Sequence, residues 1–498
     1  MANTATQSPP TLQQSLCFDN TFARLPRCFY SRVNPTPFEA SHHLVSFNPE
    51  VAALVGVDPE RFDQHAWIDL ISGRNLPADC EPLAMLYAGH QFGHYVPQLG
   101  DGRAILLGEV RNGQGEKYDI QLKGSGLTPY SRGGDGRAVL RSTIREYLCS
   151  EAMHGLGVPT TRALAIVGSD AEVYREQIES GAILARIAPS HVRFGSFEVF
   201  YHRQQHDAVK QLADYVIEHH YPALATHSQP YVALLEEVVE RTARLIAQWQ
   251  AVGFAHGVLN TDNMSILGLT LDYGPFGFME RYQPGYICNH SDFHGRYAFD
   301  QQPGIGLWNL NQLAQALIPL MSVEEVQAAL EQYEPLFVDH YLTCMHAKLG
   351  LRENNDNTQQ LIRDLLTAMQ ANQVDYTRLF RALCDFDSHP QASNTLLRDM
   401  FVEHEAFDTW AQRYQKQLQR EQSDDASRRE AMRGVNPKYI LRNYMAQIAI
   451  DKAQENDFSE VDRLLELLRA PFAEHPHMAH YAAEPPDWAN QIEVSCSS

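Results

Sequence analysis

Hydrophobic and polar positions change rhythm along the chain. Lys117–Lys123 (KYDIQLK) alternates strictly, with Tyr118, Ile120 and Leu122 on one face and Asp119, Gln121 and Lys123 on the other, which predicts a strand. Arg103–Val110 predicts a preceding strand, Asn112-Gly113 a turn between the two, and Ala163–Val167 and Ala182–Ile187 two further strands. Among these, apolar positions at Leu140, Ile144, Tyr147 and Leu148 predict one helix from Arg137 to His154, ended by Gly155, Gly157 and Pro159. From about residue 230 the period becomes helical. Tyr231–Gln250 carries Leu235, Val238, Val239, Ile246 and Trp249 on one stripe, and Trp308–Ile318, Val323–Leu336 and Asp462–Leu468 continue the pattern.

The expected organisation is therefore α+β, with a strand-rich part at 96–200 and a helical part at 201–498. The last few residues are expected to form a mobile tail. The first 95 residues form an amino-terminal extension whose fold the pattern does not fix. Composition narrows the function classes. With 44% hydrophobic and 20% charged residues the 498-residue chain is globular. Its formal charge of −21 opposes a general nucleic-acid binder, which needs a field of Lys and Arg. No apolar run approaches a membrane span, and MANTATQSPPTLQQSL lacks a basic segment followed by an apolar one, so the expected compartment is the cytosol. Eight cysteines (17, 28, 80, 149, 288, 344, 384 and 496) are scattered without a CxxC pair, which suits reduced thiols. No heptad repeat appears, and a monomer is expected.

The chemistry concentrates in residues 256–274, HGVLNTDNMSILGLTLDYG. Against the phosphoryl-transfer template H-R-D-L-x-x-x-N followed by D-F-G, His256, Leu259 and Asn263 fall in register and Asp272-Tyr-Gly takes the second motif. Asn263 and Asp272 are thus candidate metal ligands. Val258 stands where the template has its base. Asp262 supplies a carboxylate four residues later, either as a displaced base or as a loop acid supporting the metal. Upstream, Lys123 ends the alternating strand and Glu146 lies on the next helix, the order of a phosphate-binding lysine and its carboxylate partner. Either alone reads as a surface charge; in series with Asn263 and Asp272 they read as an ATP site. Gly100-Asp-Gly102-Arg103 precedes the first strand, where glycine lets backbone approach phosphate.

Two other clusters do not read as metal sites: the first reads as structural, the second as a loop anchor or an acceptor-recognition segment. His90 and His94 in GHQFGH have i, i+4 spacing but no following Glu as in HExxH, and Cys288, His290, Asp292 and His294 form no closed zinc set.

With LKGSG at 122–126, GGDGRAVLRSTIREYL at 133–148 and HGVLNTDNMSILGLTLDYGPFGF at 256–278, the sequence resembles the selenoprotein O family, protein adenylyltransferases with a pseudokinase fold. AGHQFG at 88–93, CNHSDFHGRYAF at 288–299, NPKYILRNY at 436–444 and the terminal CSS extend the likeness over nearly the whole chain. The resemblance implies a two-lobed protein-kinase-like fold and ATP bound in reversed orientation. AMP would pass to Ser, Thr or Tyr hydroxyls of protein substrates with Mg2+ or Mn2+, and UMP transfer from UTP is a variant of the same reaction. Asp262 would accept the proton, and Asn263 and Asp272 would hold metal. Lys123, held by Glu146, would contact phosphates with Arg186 and Arg193, while Gly100, Gly102, Arg103, Asp135 and Gly136 would line the nucleotide. Cys496 stands where family members carry selenocysteine, and a reversible disulfide with Cys288 is the expectation attached to it. A conventional phosphotransferase and a silent ATP-binding scaffold stay open as alternatives.

Overall fold

The computed structural model describes residues 12–495. Twelve strands occur among them: β1 (Tyr30–Arg32), β2 (His42–Phe47), β3 (Leu83–Met85), β4 (Gly89–Gln91), β5 (His94–Val96), β6 (Ala104–Arg111), β7 (Lys117–Lys123), β8 (Ala138–Val139), β9 (Arg162–Tyr174), β10 (Ile178–Ala188), β11 (Phe254–Ala255) and β12 (Gly277–Phe278). One sheet runs in the order β1-β3-β6-β7-β10-β9-β2, with β8 against β10, and every pairing in it is antiparallel. The chain is α+β: sheet-centred in its first 190 residues and almost entirely helical beyond.

The amino-terminal segment is built into the sheet rather than appended to it. β1 and β3 form one edge and β2 the other. Helix Gln64–Ser72, capped by the Asp63 carboxylate on the N–H groups of His65 and Ala66, packs Trp67, Ile68 and Ile71 on one sheet face beside Ile120, Leu122 and Ile183. The opposite face carries helix Leu140–Gly155, and its Leu140, Ile144, Tyr147 and Leu148 join a core that continues into the helical part through Leu234, Val238 and Trp249. A second helical core, around Met345, Leu361, Phe380 and Trp410, lies in the last third of the chain.

Two boundaries depart from the periodic reading. The helix expected from Arg137 begins at Leu140, because Ala138 and Val139 pair with Ala182 and Gly181 of β10 and their backbone groups belong to the sheet. The helix expected over 323–336 is two. Val323–Glu331 starts in a Ser322/Glu325 capping box, and Tyr333–Leu349 starts afresh, since Pro335 has no N–H for the carbonyl one turn earlier. Beyond the last long helix, Ser459–Arg469, the chain lies on the helical part in short turns, with Tyr481 and Val494 buried. No helix among the described residues is long and apolar enough to cross a membrane.

Candidate active site

β7 carries the first half of the site. Its apolar side is spent on the core with Trp67, which turns Asp119, Gln121 and Lys123 toward helix Leu140–Gly155. Lys123 Nζ pairs with Glu146 Oε2. Register places Arg186 of β10 opposite Gln121, and this buried guanidinium binds Gln121 Oε1, Glu146 Oε1 at 3.0 Å and Asp272 Oδ1 at 2.5 Å. One carboxylate thus bridges two cations.

The second half is the loop between β11 and β12. Helix Pro230–Val252 ends at Gly253, whose φ of +72° closes the turn. His256 is buried, stacks on Trp249 with ring centroids 5.5 Å apart, and its Nε2 meets Leu271 O at 3.0 Å, tying the start of the loop to its end. Gly257, at φ +79°, lies so close to Pro275 that a Cβ would come within 2.3 Å of its carbonyl oxygen. Asn263 donates to Val258 O at 2.9 Å, leaving its carboxamide oxygen without a hydrogen bond among the described residues. Asp272 sits at φ +58°, a left-handed conformation that costs a non-glycine residue about 1 kcal/mol or more. It is held there by Arg186 and by Arg193, whose Nη1 reaches Asp272 Oδ2 at 2.5 Å and the backbone carbonyl of Asp262 at 2.7 Å. Arg193 precedes helix Phe194–His202 and lies over the Tyr87 ring at 4.5 Å. Among the described residues it is the one side chain bonded to both aspartates.

The two acids are in opposite electrostatic states. Burial alone raises the Asp272 carboxyl, but Arg193, Arg186 and Lys123 outweigh it and hold the group well below the usual carboxylate range. Burial pushes Asp262 up to about 7, against the lowering effects of a Gln91 hydrogen bond and of Arg193. Asp262 Oδ2 accepts from Gln91 Nε2 at 3.0 Å, while its Oδ1 is buried without any partner among the described residues. Burial depresses the Lys123 ammonium, Glu146 opposes this, and Arg103 adds to the depression, which places Arg103 electrostatically beside the site although it is exposed.

Of the other sequence candidates, Gly100 and Gly102 wrap Tyr130: a Cβ on Gly100 would come 2.5 Å from its ring, and one on Gly102 2.7 Å from its carbonyl oxygen. Gly136 packs on Gly126, whose N–H donates to Gly136 O at 3.1 Å. Asp135 lies apart. Its carboxylate is taken by Arg175 at 2.7 Å and by the Arg137 N–H, and no contact among the described residues joins it to the cluster.

Several participants escaped the sequence reading. Gln121 shares the Lys123 face, and its Oε1 is bound by Arg186. Asp101, buried between the two glycines, accepts from the Met85 N–H at 3.0 Å and from Gln121. Gln91 and Gly89 come from the AGHQFG segment, which lies along the loop: the His90 N–H donates to Thr261 Oγ1 at 2.7 Å and the Phe92 N–H to Tyr297 OH at 2.8 Å. The segment after Cys288 braces the loop from the other side. Cys288 Sγ donates to Pro275 O, Asn289 to Gly257 O and Tyr297 OH to Asn260 Oδ1. These bonds anchor the loop to that segment.

The donor set suits a hard cation. Asp272 keeps a second lone pair on each oxygen, and Asn263 has a free carboxamide oxygen. Three cations, Lys123, Arg186 and Arg193, face two carboxylates, Glu146 and Asp272, and the surplus favours a polyphosphate.

Comparison with known proteins agrees. A family described as "Protein adenylyltransferase SelO" matches residues 13–469. A protein nucleotidyltransferase YdiU of Myxococcus xanthus (strain DK1622) is 59% identical over 98% of this chain and 100% of its own length. That of Thiobacillus denitrificans is 59% identical over 97% and 99%, and that of Yersinia pestis 52% over 98% and 100%. The chain therefore belongs to the SelO protein adenylyltransferases, a family of enzymes.

Proposed function

We propose that the protein transfers AMP from ATP to hydroxyl groups of protein side chains, within a two-lobed kinase-like architecture. The sheet forms the small lobe, residues 96–200 with its amino-terminal strands, and residues 201–498 form the large one. The observation that carries this reading is Arg193, which links the ionised Asp272 to the backbone of Asp262, a carboxyl titrating near neutrality. A metal-anchoring acid and a proton acceptor stand on one guanidinium.

Asp262 accepts the proton of the incoming Ser, Thr or Tyr hydroxyl, whose oxygen bonds to the α-phosphorus as the α–β phosphoanhydride bond breaks and pyrophosphate leaves. A group at about 7 is half ionised at neutral pH and suited to this role. Asn263 and Asp272 hold Mg2+ or Mn2+, which when bound neutralises phosphate charge. Lys123, fixed by Glu146, grips the departing phosphates with Arg186 and Arg193. These cations sit on β7, on β10 and just beyond it, deep against the sheet, which supports a reversed nucleotide with its β- and γ-phosphates buried there. Gly100, Gly102 and Gly136 give the backbone close approach, and Arg103 adds positive charge at the rim. Asp135 joins the nucleotide only by leaving Arg175. UTP fits the same phosphate site, and the enzyme acts as a cytoplasmic monomer.

ATP labelled at the α- or γ-phosphate, incubated with a protein pool, tests this. Label from the α-position on protein is the expected result. Transfer of the γ-label alone would establish a phosphotransferase using Asp262 as base, and no transfer despite ATP binding would establish a scaffold.

Regulation by a Cys288–Cys496 disulfide belongs to the same reading. Cys496 lies outside the described residues, but the Val494 carbonyl, two residues before it, accepts the N–H of His290, two residues after Cys288, at 2.8 Å. Burial pushes the Cys288 thiol up to about 12, so a peroxide would oxidise Cys496 first and Cys288 would then displace water from its sulfenic acid. Bond formation takes the Cys288 thiol from Pro275 O and loosens the loop. Peptide mapping under peroxide without reductant tests it; two free thiols with activity lost nonetheless would exclude this pairing.

A further inference from the structure

His90 has a partner that the GHQFGH spacing does not announce. Its Nδ1 lies 2.5 Å from Glu198 Oε2, and His202 follows Glu198 by one turn on helix Phe194–His202. His94, by contrast, stands across the β4–β5 hairpin from Gln91 and is exposed. One nitrogen of each histidine and one oxygen of Glu198 lie within 4.8 Å of one another.

A hydrogen-bonded His–Glu pair explains only half of this arrangement. Glu198 is 1% exposed, and its Oε1 is buried with no partner among the described residues, an arrangement expensive for a carboxylate. Among the described residues neither lysine nor arginine pairs with it. His202 adds a second imidazole from the solvent side, its ring 3.9 Å from that of Tyr95, while Trp308 closes the other side edge-on to His90 at 5.3 Å. Two imidazoles and a carboxylate with one open direction match the three-ligand sets that hold Zn2+ with a water in the fourth position. Tetrahedral ligand atoms about 2.0–2.2 Å from zinc are closer together than the present span, and rotation of the exposed His202 closes the difference.

We propose that His90, Glu198 and His202 form a Zn2+ site, separate from Asn263 and Asp272. The ion takes the His90–Glu198 hydrogen bond apart, the ring proton of the neutral imidazole moving to Nε2, and uses the orphaned carboxylate. It thereby clamps the hairpin β4–β5 to the helix that begins beyond Arg193. Because His90 also donates to Thr261 and Gln91 to Asp262, the clamp fixes the neighbour of the proposed proton acceptor from outside the reaction centre. Imidazole ligands make the site selective for zinc over magnesium, which prefers oxygen.

The test titrates the full chain with ZnCl2 under saturating Mg2+, by calorimetry and thermal unfolding. The expected result is one equivalent of Zn2+ bound and a raised Tm, both lost in His202→Ala and in Glu198→Gln. His202 is exposed, so its loss leaves the fold intact, and circular dichroism of the apo variant confirms that. His202→Cys should restore binding, and with Co2+ it should give a thiolate-to-cobalt charge-transfer band that the parent chain lacks. Absence of a stoichiometric site, binding equal in the parent and both variants, or a His202→Cys chain without the charge-transfer band would each overturn the assignment.

Discussion

Asp262→Asn should make the protein inactive and, at neutral pH, more stable. The carboxyl is 7% exposed and is carried from 3.8 to about 7, chiefly by burial. That is roughly three decades of proton affinity, about 4 kcal/mol at 1.36 kcal/mol per decade. Below pH 4 the folded and unfolded chains both carry the proton and the group contributes nothing. Between pH 4 and 7 the unfolded chain releases it while the folded chain keeps it, so stability falls as pH rises; above 7 the full cost is present. Asparagine never ionises. Its oxygen keeps the Gln91 hydrogen bond, and its NH2 falls where Oδ1 has no partner, which costs about 1–2 kcal/mol at every pH. The variant should match the parent at pH 5 and be the stronger chain at pH 8, with a relative swing of about 3 kcal/mol. Urea midpoints of both chains across this range read the swing, because all other titrating groups cancel in the difference. A difference that stays constant from pH 5 to 8 would show that Asp262 is ionised throughout, and the argument for a neutral-pH proton acceptor would fall with it.

Three further outcomes follow from the same geometry. Gln91→Leu removes the bond that favours the Asp262 carboxylate, so the acidic limb of kcat/KM should move up by about one pH unit; an unmoved limb would place the proton elsewhere. Asp272→Asn leaves Arg186 and Arg193 facing each other across a neutral amide, and should abolish transfer while costing about 2–4 kcal/mol in urea unfolding, with the loss largest above pH 4, where the aspartate is ionised in the unfolded chain as well. Full activity of that variant would refute its assignment as a metal ligand. Gly89→Ala sets a Cβ 2.7 Å from Asp262 Oδ1 and 2.9 Å from its Cβ, and should lower kcat with ATP affinity retained in equilibrium binding.

How much of this was legible depended on distance along the chain. Alternation in KYDIQLK identified the strand and the two faces of β7. It did not say that the polar face is buried, because alternation reports polarity and not whether the facing surface is water or an ion network. Lys123, Glu146 and Asp272 were readable from their order, and Arg186 and Arg193 came from the family likeness. The short strands β1 and β3 were not readable, since three residues carry no period, and they are held by register with β6. The family likeness placed Asp135 with the nucleotide; in the structure its charge is met by Arg175, forty residues later, on the β9–β10 turn.

The relocated acid shows most clearly what a linear template omits. Moving a carboxylate from position 258 to 262 in a loop that turns at Thr261–Asn263 aims it away from Val258 and at β4. That direction is open only because residue 89 has no side chain, and the carboxylate is oriented only because residue 91 offers an amide. Gln91 and Asp262 are 171 positions apart, so no local pattern couples them. The loss at 258, the gain at 262 and the glycine at 89 therefore form a single steric unit, and restoring Asp at 258 alone should not displace Asp262 as the proposed proton acceptor, because Asp262 would still occupy the space that Gly89 leaves.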